Sequence, residues 1–230
     1  MSLEKIQSEE LKRQVTLRAR KLSFKDVTEE DLDRISEITL NAKSFDGEKT
    51  NIELSVLEIF KNLKKVRLIG FDITKEGIDE ISKLEHLEML EFVKCKVEDV
   101  SFELLQEKLE RIYFSECGEL LFKYPKVRNI IVNMCRVDFR NVDLEEVQAI
   151  HIINSVIKNL PDLSKYLNLK KVNFDGSKII DESGMEVVDI SVPEKIEYSH
   201  KKSIEKIDRK DEISEKTSVD TKDNENSLIL

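Results

Sequence analysis

Residues 87–97 read LEMLEFVKCKV, and the same spacing of apolar side chains returns at 109–120 (LERIYFSECGEL), 127–137 (VRNIIVNMCRV), 147–157 (VQAIHIINSVI) and 169–179 (LKKVNFDGSKI). The kernel is apolar-x-x-apolar-x-apolar: Leu87-Leu90-Phe92, Leu109-Ile112-Phe114, Val127-Ile130-Val132, Val147-Ile150-Ile152 and Leu169-Val172-Phe174, with Leu63-Val66-Leu68 one step upstream. First positions at 63, 87, 109, 127, 147 and 169 give steps of 24, 22, 18, 20 and 22 residues. Two apolar residues one apart face the same side of a short strand, so each kernel predicts a half-buried strand. A further apolar residue follows five places on, at Ile73, Val97, Val137, Ile157 and Ile179. Leu120 fills that place one residue late, after Gly118, which predicts a small bulge.

The ninth place of the repeat holds Cys95, Cys117 and Cys135, then Ser155 and Ser177, so all three cysteines of the chain fall on one repeat position. This pattern resembles the leucine-rich-repeat family, whose repeat is L-x-x-L-x-L-x-x-N/C-x-L. The resemblance implies an α/β solenoid with a parallel β-sheet on its concave side and short helices or 3-10 turns on its convex side. It also implies thiols turned inward beneath the loop after each strand, and a partner held by the concave face. Three features depart from the pattern: no repeat has Asn at the ninth place, Phe71 stands there in the first clear repeat, and the step of 18 is shorter than the family's. They bear on the loops rather than on the strand register.

Upstream, Ile35-Ile38-Leu40 with Phe45 fits an N-terminal seventh repeat, and the segment at 51–62 (NIELSVLEIFKN) reads as a helix. Val15, Leu17, Leu22 and Phe24 alternate with polar residues, which predicts a capping strand or hairpin. Among the connections, 73–86, 97–108 and 142–148 read as short helices, while 119–126 and 157–168 contain proline and read as irregular turns. Val187-Ile190-Val192 repeats the triplet just before Pro193 and predicts a closing strand. The chain therefore divides into an N-terminal cap over 1–30 (strand or hairpin plus helix), a solenoid with a C-terminal cap strand over 31–199, and a charged tail over 200–230. The tail's composition predicts disorder. It is either a solubilising extension or the carrier of a docking motif in its final SLIL.

The chain is 40% hydrophobic and 37% charged, with a net charge of -9, no tryptophan and 6% aromatics. That balance suits thin aliphatic layers and disfavours a nucleic-acid binder; a basic stripe exists only near Arg13, Arg18, Arg20 and Lys21. The charged N-terminus is no secretory signal, and no apolar run approaches a membrane span. With an odd number of cysteines, these features predict a soluble, cytoplasmic protein with no membrane contact. Cysteines 22 and 18 residues apart lack metal-site spacing, and a buried structural role is the simpler reading of them. Of His86, His151 and His200, only His151 falls on a predicted strand, and none sits in a nucleophile motif. The glycines are scattered, with no phosphate-binding loop. No catalytic residue, metal or cofactor is expected.

Residues alternating with the buried kernel must project from the concave sheet. The middle column runs Thr39, Arg67, Glu91, Tyr113, Ile131, His151 and Asn173. Flanking it are Lys65, Met89, Arg111, Asn129, Ala149 and Lys171 on one side, and Ile69, Val93, Ser115, Asn133, Ile153 and Asp175 on the other. Met89, Val93, Tyr113, Ile131 and Ile153 form an apolar centre with Arg67, Glu91, Arg111, His151 and Asn173 around it, the layout of a protein interface. The expected function is a non-enzymatic scaffold binding a protein or peptide. The alternatives are an inhibitor or immunity factor that plugs a separate enzyme's active site, and a small hydrolase or redox protein using His151 or the cysteines.

Overall fold

The computed structural model describes residues 3–44, 54–97, 109–122, 127–140, 142–187, 190 and 192–201. Each kernel forms a strand: β1 (Glu37–Asn41), β2 (Lys65–Ile69), β4 (Met89–Val93), β6 (Arg111–Leu121), β7 (Asn129–Asp138), β8 (Ala149–Ile153) and β10 (Lys171–Asn173). They stack in chain order as a parallel sheet, and β12 (Glu197–Ser199) adds to β10. Parallel neighbours need a crossover between them, and from β2 onward the crossovers bend away through a second row: β3 (Asp72–Ile73) pairs with β5 (Lys96–Val97), and the far end of β7 pairs with β9 (Val156–Lys158), which pairs with β11 (Lys178–Ile180). This is the leucine-rich-repeat architecture, with the core between the two rows.

Every kernel residue of the six registers is buried, as are Ile73, Val97, Leu120, Val137, Ile157 and Ile179 in the second row. Phe92 stacks on Phe114 at 5.1 Å, and Phe122 stacks on Phe139 at 6.0 Å, so aromatic rings thicken the middle of the core. The register shift between Ser115 and Gly118 is the bulge expected there.

The ninth-place residues form a ladder. Cys117 N donates to Cys135 Sγ (3.3 Å), Cys135 N to Ser155 Oγ (3.1 Å) and Ser155 N to Ser177 Oγ (3.1 Å). In turn the thiols and hydroxyls donate to main-chain carbonyls, Cys95 to Leu68, Cys117 to Phe92 and Ser177 to Ile152. One place earlier, Gly70, Lys94, Glu116, Met134, Asn154 and Gly176 all adopt positive φ, between 51° and 76°. For Lys94, Glu116 and Met134 that conformation costs roughly 1 kcal/mol each. A Cβ at Gly176 would strike Asn154 Oδ1.

Five expectations are corrected. Val15 and Leu17 lie in helix α1 (Glu9–Arg18), capped by Ser8, rather than in a strand or hairpin. Leu11 and Val15, one turn apart, face the core, while Leu17 and Leu22 are exposed and only mimic strand alternation. The helix caps the sheet: Gln14 Nε2 donates to Thr39 O, and Thr39 N donates to Gln14 Oε1 (3.2 Å), so the outer edge of β1 has a side-chain partner. A second helix, α2 (Glu29–Asp33), completes the cap through a capping box between Thr28 and Asp31.

At the other end, the strand beside β10 is Glu197–Ser199, not the Val187-Ile190-Val192 triplet. After β11 the chain folds back on itself, with Ile180 and Glu186 bridged antiparallel and Val187 N bonded to Ile179 O, and a turn at Pro193–Ile196 then launches β12. His200 is not part of a tail: its ring bonds Ser177 O at 2.9 Å. Of the helices expected within the described residues, 73–86 forms one, α3 (Lys75–Ser82). Residues 142–148 make a turn, too short a span between β7 and β8 for a helix, and Leu54–Ile59 is a 3-10 segment. The helix expected at 97–108 lies outside the described residues beyond Val97, as do Phe45, residues 123–126 and the chain from 202 onward.

Two measurements check this register. Ile130 is fully buried between Ile112 and Ile150. An Ile130→Asp carboxylate would have no partner there and should cost at least about 4 kcal/mol, seen as lost native circular dichroism. In urea unfolding, Cys135→Ser should stay near the parent, since serine already serves the next two rungs. Cys135→Ala leaves Cys117 N without an acceptor and should lose about 1–2 kcal/mol.

Candidate functional site

The concave columns are set by strand pairing. Thr39, Arg67, Glu91, Tyr113, Ile131, His151 and Asn173 are successive Cα partners across β1, β2, β4, β6, β7, β8 and β10. Lys65, Met89, Arg111, Asn129, Ala149 and Lys171 align in the same way, as do Ile69, Val93, Ser115, Asn133 and Ile153. The alternation that buries Ile112 and Phe114 turns Tyr113 outward, and the same holds for Ile131 between Ile130 and Val132. Met89, Glu91, Val93, Tyr113, Ile131, His151, Ile153 and Asn173 are half-buried by their neighbours in the columns, whereas Arg67 and Arg111 are exposed. All ten residues read from the sequence as a binding face therefore share one surface. Ser115 is the exception within the columns: at 7% exposure it belongs to the core side of the bulge.

Charge is unevenly placed on this face. Glu91 is held by Lys65 (2.8 Å) and Arg67 (3.6 Å), and Lys171 by Glu197 (2.6 Å). Asp175 accepts from Ser199 Oγ and Lys201 N, both at 2.7 Å, and those bonds keep its carboxyl below the usual range. Arg111 has no carboxylate partner among the described residues. It stands in the column flanking Tyr113, between Met89 and Asn129 of the neighbouring strands. Burial, then the charges of Lys171 and Arg111, hold the His151 imidazole below its ordinary pKa, so it is neutral at pH 7.

One contributor was missed. Met134, in the positive-φ column that borders the face, is 57% exposed and adds an apolar point beyond Asn133. Gly70, Asn154 and Gly176 at the equivalent place were the available signal, since glycine and asparagine are the residues that most readily take this conformation.

The cysteines lie on the opposite side of the sheet from this face. All three are free and buried. Burial pushes the Cys95 thiol up, and the neighbouring Cys135 sulfur and burial together push Cys117 up. Within that pair Cys135 is the member favoured to ionise, its thiolate stabilised by Cys117 and nearby backbone N–H groups. Among the described residues no group of three His, Cys, Asp or Glu is placed to hold a metal ion, and no helix is long and apolar enough to cross a membrane.

No family model and no curated protein matches the sequence. Among solved structures, the chain is similar to internalin C2 of Listeria monocytogenes, with 17% identity over 84% of this chain and 93% of that one and a TM-score of 0.46. It is also similar to the internalin inlF of the same organism, at 15% identity over 88% and 78% of the two chains and a TM-score of 0.32. A third similarity is to a structure of a TLR13-ssRNA13 complex, at 10% identity over 68% of this chain and 28% of that one, with a TM-score of 0.41.

The depressed His151 pKa gives a pH signature. Unfolding releases His151 to its ordinary value near 6.5, so as pH falls through that value the unfolded chain takes the proton first and stability drops. We expect the difference in melting temperature between the parent and His151→Gln to be constant above pH 7 and to shift in favour of the variant between pH 6.5 and the lower folded value.

Proposed function

We propose that this protein is a non-enzymatic scaffold that binds a protein or peptide partner across its concave sheet, with Tyr113 and Ile131 as the central anchors. The observation that carries the reading is the clustering of Met89, Val93, Tyr113, Ile131 and Ile153 on four adjacent strands, β4, β6, β7 and β8. Polar side chains ring them. Solvent-facing columns with no ligand have no need of five large apolar residues in one place, and such a patch with a polar rim is the usual anatomy of an interface. Tyrosine and arginine are the residue types that most often dominate binding energy. Tyr113 offers a flat ring with a polar tip, and Arg111, without a carboxylate partner among the described residues, offers a cation to a carboxylate of the partner.

Glu91 and Lys171 enter this reading as fixed rim charges. Because each already has an ion-pair partner on the sheet, it presents a set geometry and loses little side-chain freedom on binding. His151 contributes a neutral ring donor and acceptor at pH 7, and Asn173 an amide.

The test is affinity purification from the native host of the tagged parent beside a Tyr113→Ser/Ile131→Ser double variant, with mass spectrometry of what is recovered. Both substitutions lie on the outward side of their strands, so the variant should melt within a few degrees of the parent. A partner held by the parent should fall at least about tenfold with the folded variant, the loss of roughly 1.4 kcal/mol or more expected when a central anchor is truncated. Equal recovery by both proteins contradicts the reading.

A further inference from the structure

Residues 11–25, LKRQVTLRARKLSFK, carry six cations and no Asp or Glu, within a chain of net charge -9. Ion pairs account for three of the six: Lys12 with Glu9 (2.7 Å), Arg13 with Glu10 (2.8 Å) and Lys21 with Asp31 (3.4 Å). Arg18, Arg20 and Lys25 have no carboxylate partner among the described residues. The geometry gathers these three around a turn. Helix α1 ends at Arg18, Lys21 N bonds back to Thr16 O at 3.0 Å, and Arg20 sits between them at φ 55°. Helices commonly stop through such a left-handed residue, and glycine is the residue suited to it, so Arg20 is held there against its backbone preference.

Two leucines mark the same turn. Leu22 is 102% exposed and Leu17 is 62% exposed, while Leu11 and Val15 of the same helix and Val27 beyond the turn are buried. Neither Leu17 nor Leu22 contributes to the core. Phe24, the nearest ring, packs against the core and offers no platform on which a base could stack. A protruding apolar point lacks the concave walls that enclose a peptide or small ligand. It does suit a bilayer surface, where aliphatic side chains enter the headgroup boundary while Arg and Lys meet lipid phosphates.

We propose that the turn spanning Leu17 to Lys25 seats this protein on anionic membrane surfaces, with Leu17 and Leu22 entering the headgroup boundary and Arg18, Arg20 and Lys25 pairing with lipid phosphates. This reverses the sequence-based expectation of no membrane contact, and it needs no spanning helix. The acidic remainder of the chain does not forbid it, because charges more than about 10 Å from the surface are largely screened at 0.1 M salt. The site is independent of the concave face.

The experiment is cosedimentation of the full chain with vesicles of phosphatidylcholine, with and without phosphatidylglycerol. The parent should bind only the phosphatidylglycerol vesicles, and high salt should release it. Arg20→Gly should weaken binding about fivefold, the share of one cation near an anionic surface, while its melting temperature holds or rises because glycine suits the left-handed position. That combination separates lost binding from lost folding. Leu22→Ser should also weaken binding, and Lys178→Gln, at an exposed cation on β11, should leave it unchanged. Failure of the parent to bind phosphatidylglycerol vesicles overturns the proposal, and so does parent-like binding by both turn variants. Binding that is indifferent to Leu22→Ser and is displaced by soluble polyglutamate would mark a site for acidic polypeptides instead, and would equally overturn it.

Discussion

A strand that ends inside a stack of repeats must turn without stranding its backbone N–H groups in the core. The ladder of Cys95, Cys117, Cys135, Ser155 and Ser177 meets that requirement: from Cys117 to Ser155, each backbone N–H at the turn is taken up by the sulfur or hydroxyl of the next repeat. Because the bend occurs at the same place in the six repeats from β2 to β10, the strands before it stay in register. The columns of the concave face follow directly from that register. The positive-φ residue just before each rung is the cost of the bend, borne even by Lys94, Glu116 and Met134, whose side chains disfavour that conformation.

The strands and their faces were legible because period-two alternation is a local property of sequence, and because three cysteines on one repeat position fixed the phase of the pattern. The ends were harder to read. Val187-Ile190-Val192 matches the kernel, yet the chain folds back against β11 there, and the true closing strand, Glu197-Tyr198-Ser199, has one aromatic where the repeat has aliphatics. Tyr198 takes the core-column place opposite Val172 and closes the stack edge-on to Phe174 at 6.3 Å. At the N-terminus, alternation over Val15 to Phe24 competed with a helical reading in which Ser8 caps and Leu11 and Val15 lie one turn apart. The helix prevails because those two residues pack into the core while Gln14 meets the edge of β1. The ion pairs of the concave face, such as Lys65 with Glu91, depend on side-chain reach across strands and were not readable from spacing.

The apolar centre of the concave face runs from β4 to β8, three inter-strand steps or about 15 Å. About ten residues of a helix would cover that distance. The rim then poses a chemical requirement: Arg111 has no carboxylate partner among the described residues, whereas Glu91 and Lys171 are already satisfied. A complementary partner would place an aliphatic or aromatic side chain over Tyr113 and Ile131 and a carboxylate near Arg111. Fold alone does not choose such a partner.

Site-specific photo-crosslinking in the native host tests the concave sheet as the binding surface, with a benzophenone side chain placed at Ile131 on the concave face and, separately, at Lys178 on the second row of strands. One discrete crosslinked partner is expected from position 131 and none from position 178. A crosslink from 178 alone, or the same product from both positions, would contradict the assignment of the concave sheet as the binding surface.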